Sequence, residues 1–294
     1  FRQLVDKADL VHYHFPYPFT DILHFMTRVK KPTVVTYHSD IVKQKYILKL
    51  YRPLKLCFLN SVSHVVATSP NYLESSQVLS QIKGEVSVIP LGIDKATYPD
   101  ATEEKLKYWK ERFGEKFFLF IGVIRYYKGL HILVEAMRNS DFPVLIVGAG
   151  PIEKELKMHA EKLGIRNLHF LGFLADEDKY ALLELCFAVL FPSHLRSEAF
   201  GISLLEGAMY GKPLISSEIG TGTTYINIDK ETGVVVPPSD PIALREAMDF
   251  LWNNPDVARE MGKKAELQYW ALFTADRMAK SYVSLYQKLL SQVK

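Results

Sequence analysis

A chain of 294 residues that is 48% hydrophobic and 23% charged has the make-up of a soluble globular protein with room for two domains, which excludes collagen, coiled coil and intrinsic disorder. Lys plus Arg at 36 against Asp plus Glu at 33 leaves a net charge of +3, too small to imply a nucleic-acid partner. The cysteines, Cys57 and Cys186, sit in apolar runs without zinc-ligand spacing and read as buried thiols of a cytoplasmic protein. No apolar run reaches the ~18 residues of a membrane span.

In chain order, β-branched and aromatic runs at residues 32–37, 64–68 and 86–90 read as strands. Gly92-Ile93-Asp94 and Tyr98-Pro99-Asp100 then break the pattern, and a charged helix over 102–113 leads into the next run. Further strands are expected at 117–123, 144–147, 168–171, 188–191, 213–216 and 234–236. Several are apolar at successive positions, as strands covered on both faces are. Alternating β and α units with short connections predict an α/β fold of parallel, doubly wound sheets, and this many strands predict two sheets rather than one. The expected organisation is an N-terminal domain over 1–112 and a second over 113–274. A C-terminal helix over 275–294, with Met278, Tyr282, Leu285 and Leu289 at three-to-four spacing, is expected to join the first domain.

Between Asp40 and Glu74 there is no acidic residue, while Lys43, Lys45, Lys49, Arg52 and Lys55 fall there. On a helical projection Lys45, Lys49 and Arg52 form one stripe, and Ile47, Leu50, Leu54 and Phe58 the opposite one. Residues 43–58 therefore read either as a helix against an anionic membrane surface or as a core-packed helix with a solvated cationic face.

The segment Ser193-His194-Leu195-Arg196-Ser197-Glu198-Ala199-Phe200-Gly201-Ile202 follows a buried strand and turns into a helix expected from Ile202 to Gly211, with Pro213 preventing continuation. The free N–H groups at the start of that helix favour an anion, above all a phosphate. Glu198 and Glu206 would flank that anion, and a carboxylate beside a ribose can accept two hydroxyl hydrogen bonds. Taken alone, the two glutamates read more simply as a loop charge and a solvated helix residue. The strand ending at Gly122 runs into a loop bearing Arg125 and Lys128, two cations of the type that neutralises a diphosphate.

With Glu198-x7-Glu206 enclosing Phe200-Gly201, with Arg125 to Lys128-Gly129, and with Val147-Gly148-Ala149-Gly150-Pro151, Leu171-Gly172-Phe173-Leu174 and Gly233-Val234-Val235-Val236-Pro237-Pro238 in this order, the chain resembles the retaining GT-B glycosyltransferases of family four (glycosyl transferases group 1). The likeness runs from Asp9 to the C-terminus. It implies two Rossmann-like domains facing a cleft, with the N-terminal one apparently truncated, because Asp9-Leu10-Val11-His12-Tyr13-His14 already resembles a later strand of it. It also implies roles: Glu206 on the donor ribose, Glu198 near the reacting sugar, Arg125 and Lys128 on the diphosphate with the N–H groups of Phe200, Gly201 and Ile202, and Gly172, Phe173 and Leu174 around the base. His38, in Thr36-Tyr37-His38-Ser39-Asp40, would face the donor sugar. Val123 stands where many relatives have arginine.

The resemblance implies sugar transfer from a nucleotide diphosphate to a hydroxyl of a glycan or lipid-linked glycan. Glu218-Ile219-Gly220-Thr221-Gly222-Thr223 and Tyr225 resemble GDP-mannose users, with UDP-sugars the other possibility. The alternative is a non-catalytic nucleotide-sugar-binding fragment. Asp176-Glu177-Asp178 matches an Asp-x-Asp metal motif in form, but acidic residues at a helix start favour the dipole, so the expectation is a structural role, no metal and no further cofactor. The expected location is cytoplasmic or peripheral at the inner face of the cell membrane.

Overall fold

Runs of three to five residues, mostly apolar or β-branched, become strands here, and they assemble into two sheets that are parallel throughout. The structure, a computed structural model, describes residues 1–41 and 45–292, with the side chains of 45–50 outside that description. In the first sheet β1 (Val11–Phe15), β2 (Thr33–Tyr37), β3 (His64–Ala67) and β4 (Val86–Val88) pair in sequence order, with Val11 opposite Thr33 and Val65 opposite Val86. The second contains β5 (Phe118–Ile121), β6 (Val144–Val147), β7 (Leu168–Gly172), β8 (Ala188–Phe191), β9 (Leu214–Ser217) and β10 (Gly233–Val236) in the order β10-β9-β8-β5-β6-β7. Every residue of β5, β6, β8 and β9 is buried, as central parallel strands covered on both faces must be.

The helices are α1 (Arg2–Lys7), α2 (Pro18–Met26), α3 (Lys45–Ser61), α4 (Pro70–Ser75), α5 (Glu103–Phe113), α6 (Leu130–Ala136), α7 (Glu153–Lys162), α8 (Asp176–Leu185), α9 (Ile202–Met209), α10 (Thr223–Ile226), α11 (Pro241–Asn253), α12 (Pro255–Leu272) and α13 (Ala275–Ser291). On one face of the second sheet, α6, α7 and α11 pack through Leu133, Leu156 and Leu244; on the other, α5, α8 and α9 pack through Trp109, Leu182 and Leu204. The first sheet holds Phe58 and Leu59 of α3 and Tyr72 of α4 on one side. On its other side Leu285 and Leu289 of α13 pack against Val34, Val66 and Ile89. The helix at the end of the chain thus returns to the sheet at its beginning.

The chain crosses between the two sheets at two places, and these are tied together: Ile93 N–H donates to Phe273 O (3.1 Å) and Ala275 N–H to Ile93 O (3.0 Å). Loops leaving the carboxyl ends of the two sheets also meet, through Asn71 Nδ2 to Thr224 Oγ1 (3.2 Å) and Ser75 Oγ to Gly220 O (2.5 Å). That contact closes a cleft between the sheets.

The structure changes one expectation and places two other stretches. Cys186 is buried, but Cys57 is exposed on the outer side of α3. Helix α8 starts at Asp176, so all three acidic residues lie in its first turn. In the basic stretch Arg52 of the cationic stripe is exposed and donates to Gln81 (3.2 Å), Phe58 of the opposite stripe is buried, and Lys55, which belongs to neither stripe, is buried. Lys43 and the side chains of Lys45, Ile47, Lys49 and Leu50 lie outside the described residues. Among the described residues no helix is long and apolar enough to cross a membrane.

Candidate functional site

In the second sheet the chain runs outward from β5 through β6 to β7, then returns to β8 on the other side of β5. This reversal leaves a crevice at the carboxyl ends of β5 and β8, where open α/β sheets bind ligands. The loop after β5 carries Lys128 and the loop after β8 carries Glu198. Lys128 Nζ and a Glu198 oxygen form an ion pair there, with each side chain only 12% exposed. Ser193 Oγ donates to the same carboxylate (3.3 Å), and the ammonium lies 4.7 Å from the centre of the Phe191 ring. Two distant loop residues are therefore brought into contact by topology.

Three residues beyond Glu198, Gly201 opens α9 with φ of +102°, a backbone shape that favours glycine. Among the described residues the N–H groups of Phe200, Gly201 and Ile202 have no protein acceptor. They are free donors at a helix start beside a lysine, the arrangement that receives a phosphate. The Phe200 side chain points the other way, buried near Phe273 (ring centres 6.2 Å apart), while Ile202 is exposed. Only the backbone of Phe200 serves the cradle.

Glu206 sits on α9 and is 6% exposed. Its Oε1 accepts from Tyr98 Oη (2.8 Å) and from Lys179 Nζ (3.3 Å). Burial alone lowers the Lys179 pKa, but Glu206 and Asp176 outweigh it and the pKa is raised. Tyr98, buried and beside Glu206, has its phenol pushed upward. Glu206 is consequently held by one oxygen, in a fixed rotamer, between a neutral phenol and an ammonium.

Of the other expected residues, Arg125 is exposed and forms no ion pair among the described residues, so it does not join Lys128 and Glu198. Gly172 ends β7, Phe173 is 88% exposed, and Leu174 packs toward the cluster around Trp109. Asp178 accepts from Trp109 Nε1 (3.0 Å) and pairs with Lys105 (2.8 Å), which ties α8 to α5.

Across the cleft His38 follows β2, half-buried, its N–H donating to Phe15 O (2.9 Å). Its Nε2 shares a hydrogen bond with His14 Nδ1 (2.8 Å) on the neighbouring strand. Burial, then the charge of His14, lowers the His38 pKa and keeps the ring neutral near pH 7. Behind this pair His12 bridges Tyr286 Oη (2.6 Å) and Thr36 Oγ1 (2.7 Å), and Thr36 Oγ1 also bonds Tyr282 Oη (2.6 Å). Sequence reasoning missed Tyr98, Lys179 and His14. The first was read only as a pattern break and His14 only as part of a strand-like run, because the contacts that give the three their roles join distant segments.

The arrangement offers a phosphate cradle, two fixed carboxylates and a neutral imidazole. The chain as a whole is similar to known proteins. Residues 102–268 match the family model of glycosyl transferases group 1, and residues 1–97 match that of glycosyltransferase family 4. The chain is 61% identical to a D-rhamnosyltransferase, WbpZ, of Pseudomonas aeruginosa over 94% of its own length and 72% of that protein. It is 52% identical to the O-antigen chain mannosyltransferase C of Escherichia coli over 99% of its length and 78% of that protein. Among solved structures, sucrose-phosphate synthase of Thermosynechococcus elongatus superposes with a TM-score of 0.83 at 23% identity, covering 97% of this chain and 75% of that one. Anabaena HepE in complex with UDP superposes with a TM-score of 0.83 at 20% identity, covering 98% and 80%.

Proposed function

Given that this chain belongs to the glycosyl transferases group 1 family, has the GT-B fold and is a glycosyltransferase, we propose that it moves a sugar of the manno series from a nucleotide diphosphate to a hydroxyl of a growing O-antigen-type glycan, with retention of anomeric configuration. The two relatives named for D-rhamnose and mannose transfer sugars that differ only in the C6 hydroxyl. Mannose from GDP-mannose is the leading donor, on the resemblance of the Glu218 to Tyr225 segment.

The observation that supports this reading is the meeting of Lys128 and Glu198 beside the open N–H groups of α9. In the reading, the diphosphate enters the cradle, Lys128 turns from Glu198 toward it, and Glu206 accepts the ribose hydroxyls through its second oxygen. As the glycosidic bond breaks, charge grows on the departing phosphate, and the ammonium already turned onto it, with the aligned N–H groups, stabilises it. The phosphate then takes the proton of the acceptor hydroxyl on the same face. Glu198 sits where it can steady the oxocarbenium-like centre or a sugar hydroxyl, and neutral His38 can bond the sugar from the other sheet.

A panel of GDP-mannose, GDP-D-rhamnose and UDP-glucose, tested for binding by calorimetry and for slow hydrolysis, checks the proposal. Binding and turnover of a GDP-linked manno sugar are expected. Preference for UDP-glucose would overturn the assignment of base and sugar, and binding without turnover on any acceptor would favour the binding-only fragment.

A further inference from the structure

Arg196 lies two residues before Glu198, and Asp40 two residues after His38. They belong to different sheets. Arg196 Nη1 is seated on its own side of the cleft by the carbonyls of Gly220 (2.6 Å) and Ile219 (3.3 Å), and reaches Ser75 Oγ (3.0 Å) on the other. Its guanidinium stands 5.2 Å from the ring centre of Tyr72. The seat depends on Gly220, whose φ is +65° and where a Cβ would meet Nη1 at 2.8 Å. The Glu218 carboxylate accepts from Gly220 N–H (2.7 Å) and holds this turn. Part of the segment that resembles GDP-mannose users therefore serves to place an arginine.

The other nitrogen, Nη2, is shut away from solvent without a hydrogen bond, and faces Asp40 Oδ2 at 3.6 Å. A buried guanidinium N–H left unmatched is costly. Asp40 is meanwhile fixed from behind: Oδ1 accepts from Tyr37 Oη (2.7 Å) and Ser76 Oγ (2.9 Å), and its N–H donates to Tyr72 Oη (2.5 Å). Asp40 is thus held by its own side of the cleft and Arg196 by both sides, and the carboxylate and Nη2 stop short of each other. A closing movement of about 0.8 Å would bring them to the ~2.8 Å of a charge-assisted hydrogen bond.

We propose that Arg196 and Asp40 form a latch across the cleft, in which Arg196 is a positioning residue that locks the loop bearing Glu198 to the loop bearing His38 when the donor is bound. The inference deepens the proposed reaction and rests on that reading of Glu198 and His38. The latch touches no reacting atom, so its loss lowers the rate more than donor binding. It also ties the two sheets by opposite charges, so the two residues act as one unit.

The test compares Arg196→Gln, Asp40→Asn and the double variant in the full chain, with Arg196→Lys as the conservative form. Asparagine at 40 keeps an acceptor for Tyr37 and Ser76 while removing the charge that faces Arg196. Each single variant is expected to lower kcat about tenfold with donor KM changed less than about threefold, the double variant is expected to be no worse than either single one, and Arg196→Lys is expected to recover part of the rate. Hydrogen exchange of the loops bearing Asp40 and Arg196 with donor bound supplies a readout independent of turnover: the native chain gains protection there and Arg196→Gln does not. Multiplying losses in the double variant, native kcat in both singles, or equal protection in Arg196→Gln would overturn the latch. Failure of the underlying reading looks different, because donor binding would then survive Lys128→Ala while the loop protection still depended on Arg196.

Discussion

Lys128 and Glu198 neutralise one another at the point where the second sheet reverses direction, each side chain 12% exposed and 70 residues apart in sequence. A cation held this way is already positioned, yet has to exchange its carboxylate for any phosphate that enters. The pair therefore sets opposite effects on binding and on turnover.

Lys128→Ala is expected to lower kcat/KM by roughly 10- to 150-fold, the equivalent of losing a charge-assisted hydrogen bond of about 1.5 to 3 kcal/mol. Glu198→Gln removes the competing charge and leaves Lys128 unpaired. It is expected to slow transfer at least about tenfold while tightening GDP binding several-fold, because a site of net positive charge attracts the diphosphate more strongly. Calorimetry with GDP and steady-state kinetics read the two signs separately. Native transfer rates in both variants would remove the pair from the chemistry.

Tyr98 reaches Glu206 from the connection between the two sheets, 108 positions away in sequence. Removing its hydroxyl in Tyr98→Phe leaves Lys179 as the remaining partner of Oε1 and costs about 0.5 to 1.5 kcal/mol of orientation. The expected effect is a rise of about two- to tenfold in donor KM with kcat little changed. A Glu206→Gln control should raise donor KM further. An unchanged KM in Tyr98→Phe would mean that Glu206 needs no such support.

Strands such as Phe118–Ile121 and Ala188–Phe191 were legible because burial on both faces leaves a continuous apolar run. The helix beginning at Ile202 was legible because Gly201, Gly211 and Pro213 punctuate it. Lys128 and Glu198 could be nominated from sequence, but their contact could not, since it follows from strand order. Tyr98 and Lys179 were illegible for the same reason: their role exists only where α8, α9 and the connecting segment converge. Lys55 lies outside both stripes of the helical projection, and its burial could not be read from charge spacing because a side chain's burial depends on what packs against it.

Asp178 joins α5 to α8 through Trp109 and Lys105. Its carboxylate is 15% exposed, so Asp178→Ala is expected to cost about 1.5 to 3 kcal/mol of stability, seen as a lower melting temperature, with donor KM within about twofold of native. Transfer by the native chain is expected to persist in excess EDTA. Abolition by the chelator and recovery with manganese would give the acidic triplet a metal role instead.

His12 makes stability depend on pH in a definite direction. Its ring is clasped between Tyr286 and Thr36, and burial first, then the charges of His14 and His38, push its pKa down to about 4 from 6.5. Between those values the unfolded chain binds a proton that the folded chain refuses. The contribution is therefore complete above pH 6.5, falls as pH drops, and levels off below about pH 4. Because the ring keeps some contact with water, the expected size is on the order of 1 to 2 kcal/mol. Asp21, pushed up to about 6 by burial, acts with the opposite sign: its contribution is present below pH 3.8 and is lost as pH rises through 6. The comparison must therefore be a difference between variants. Urea unfolding at pH 7 and pH 4.5 should show a larger loss of stability for the native chain than for His12→Gln, which cannot take up the proton. Equal losses in both would mean that the clasp of α13 onto β1 and β2 does not depend on a neutral ring.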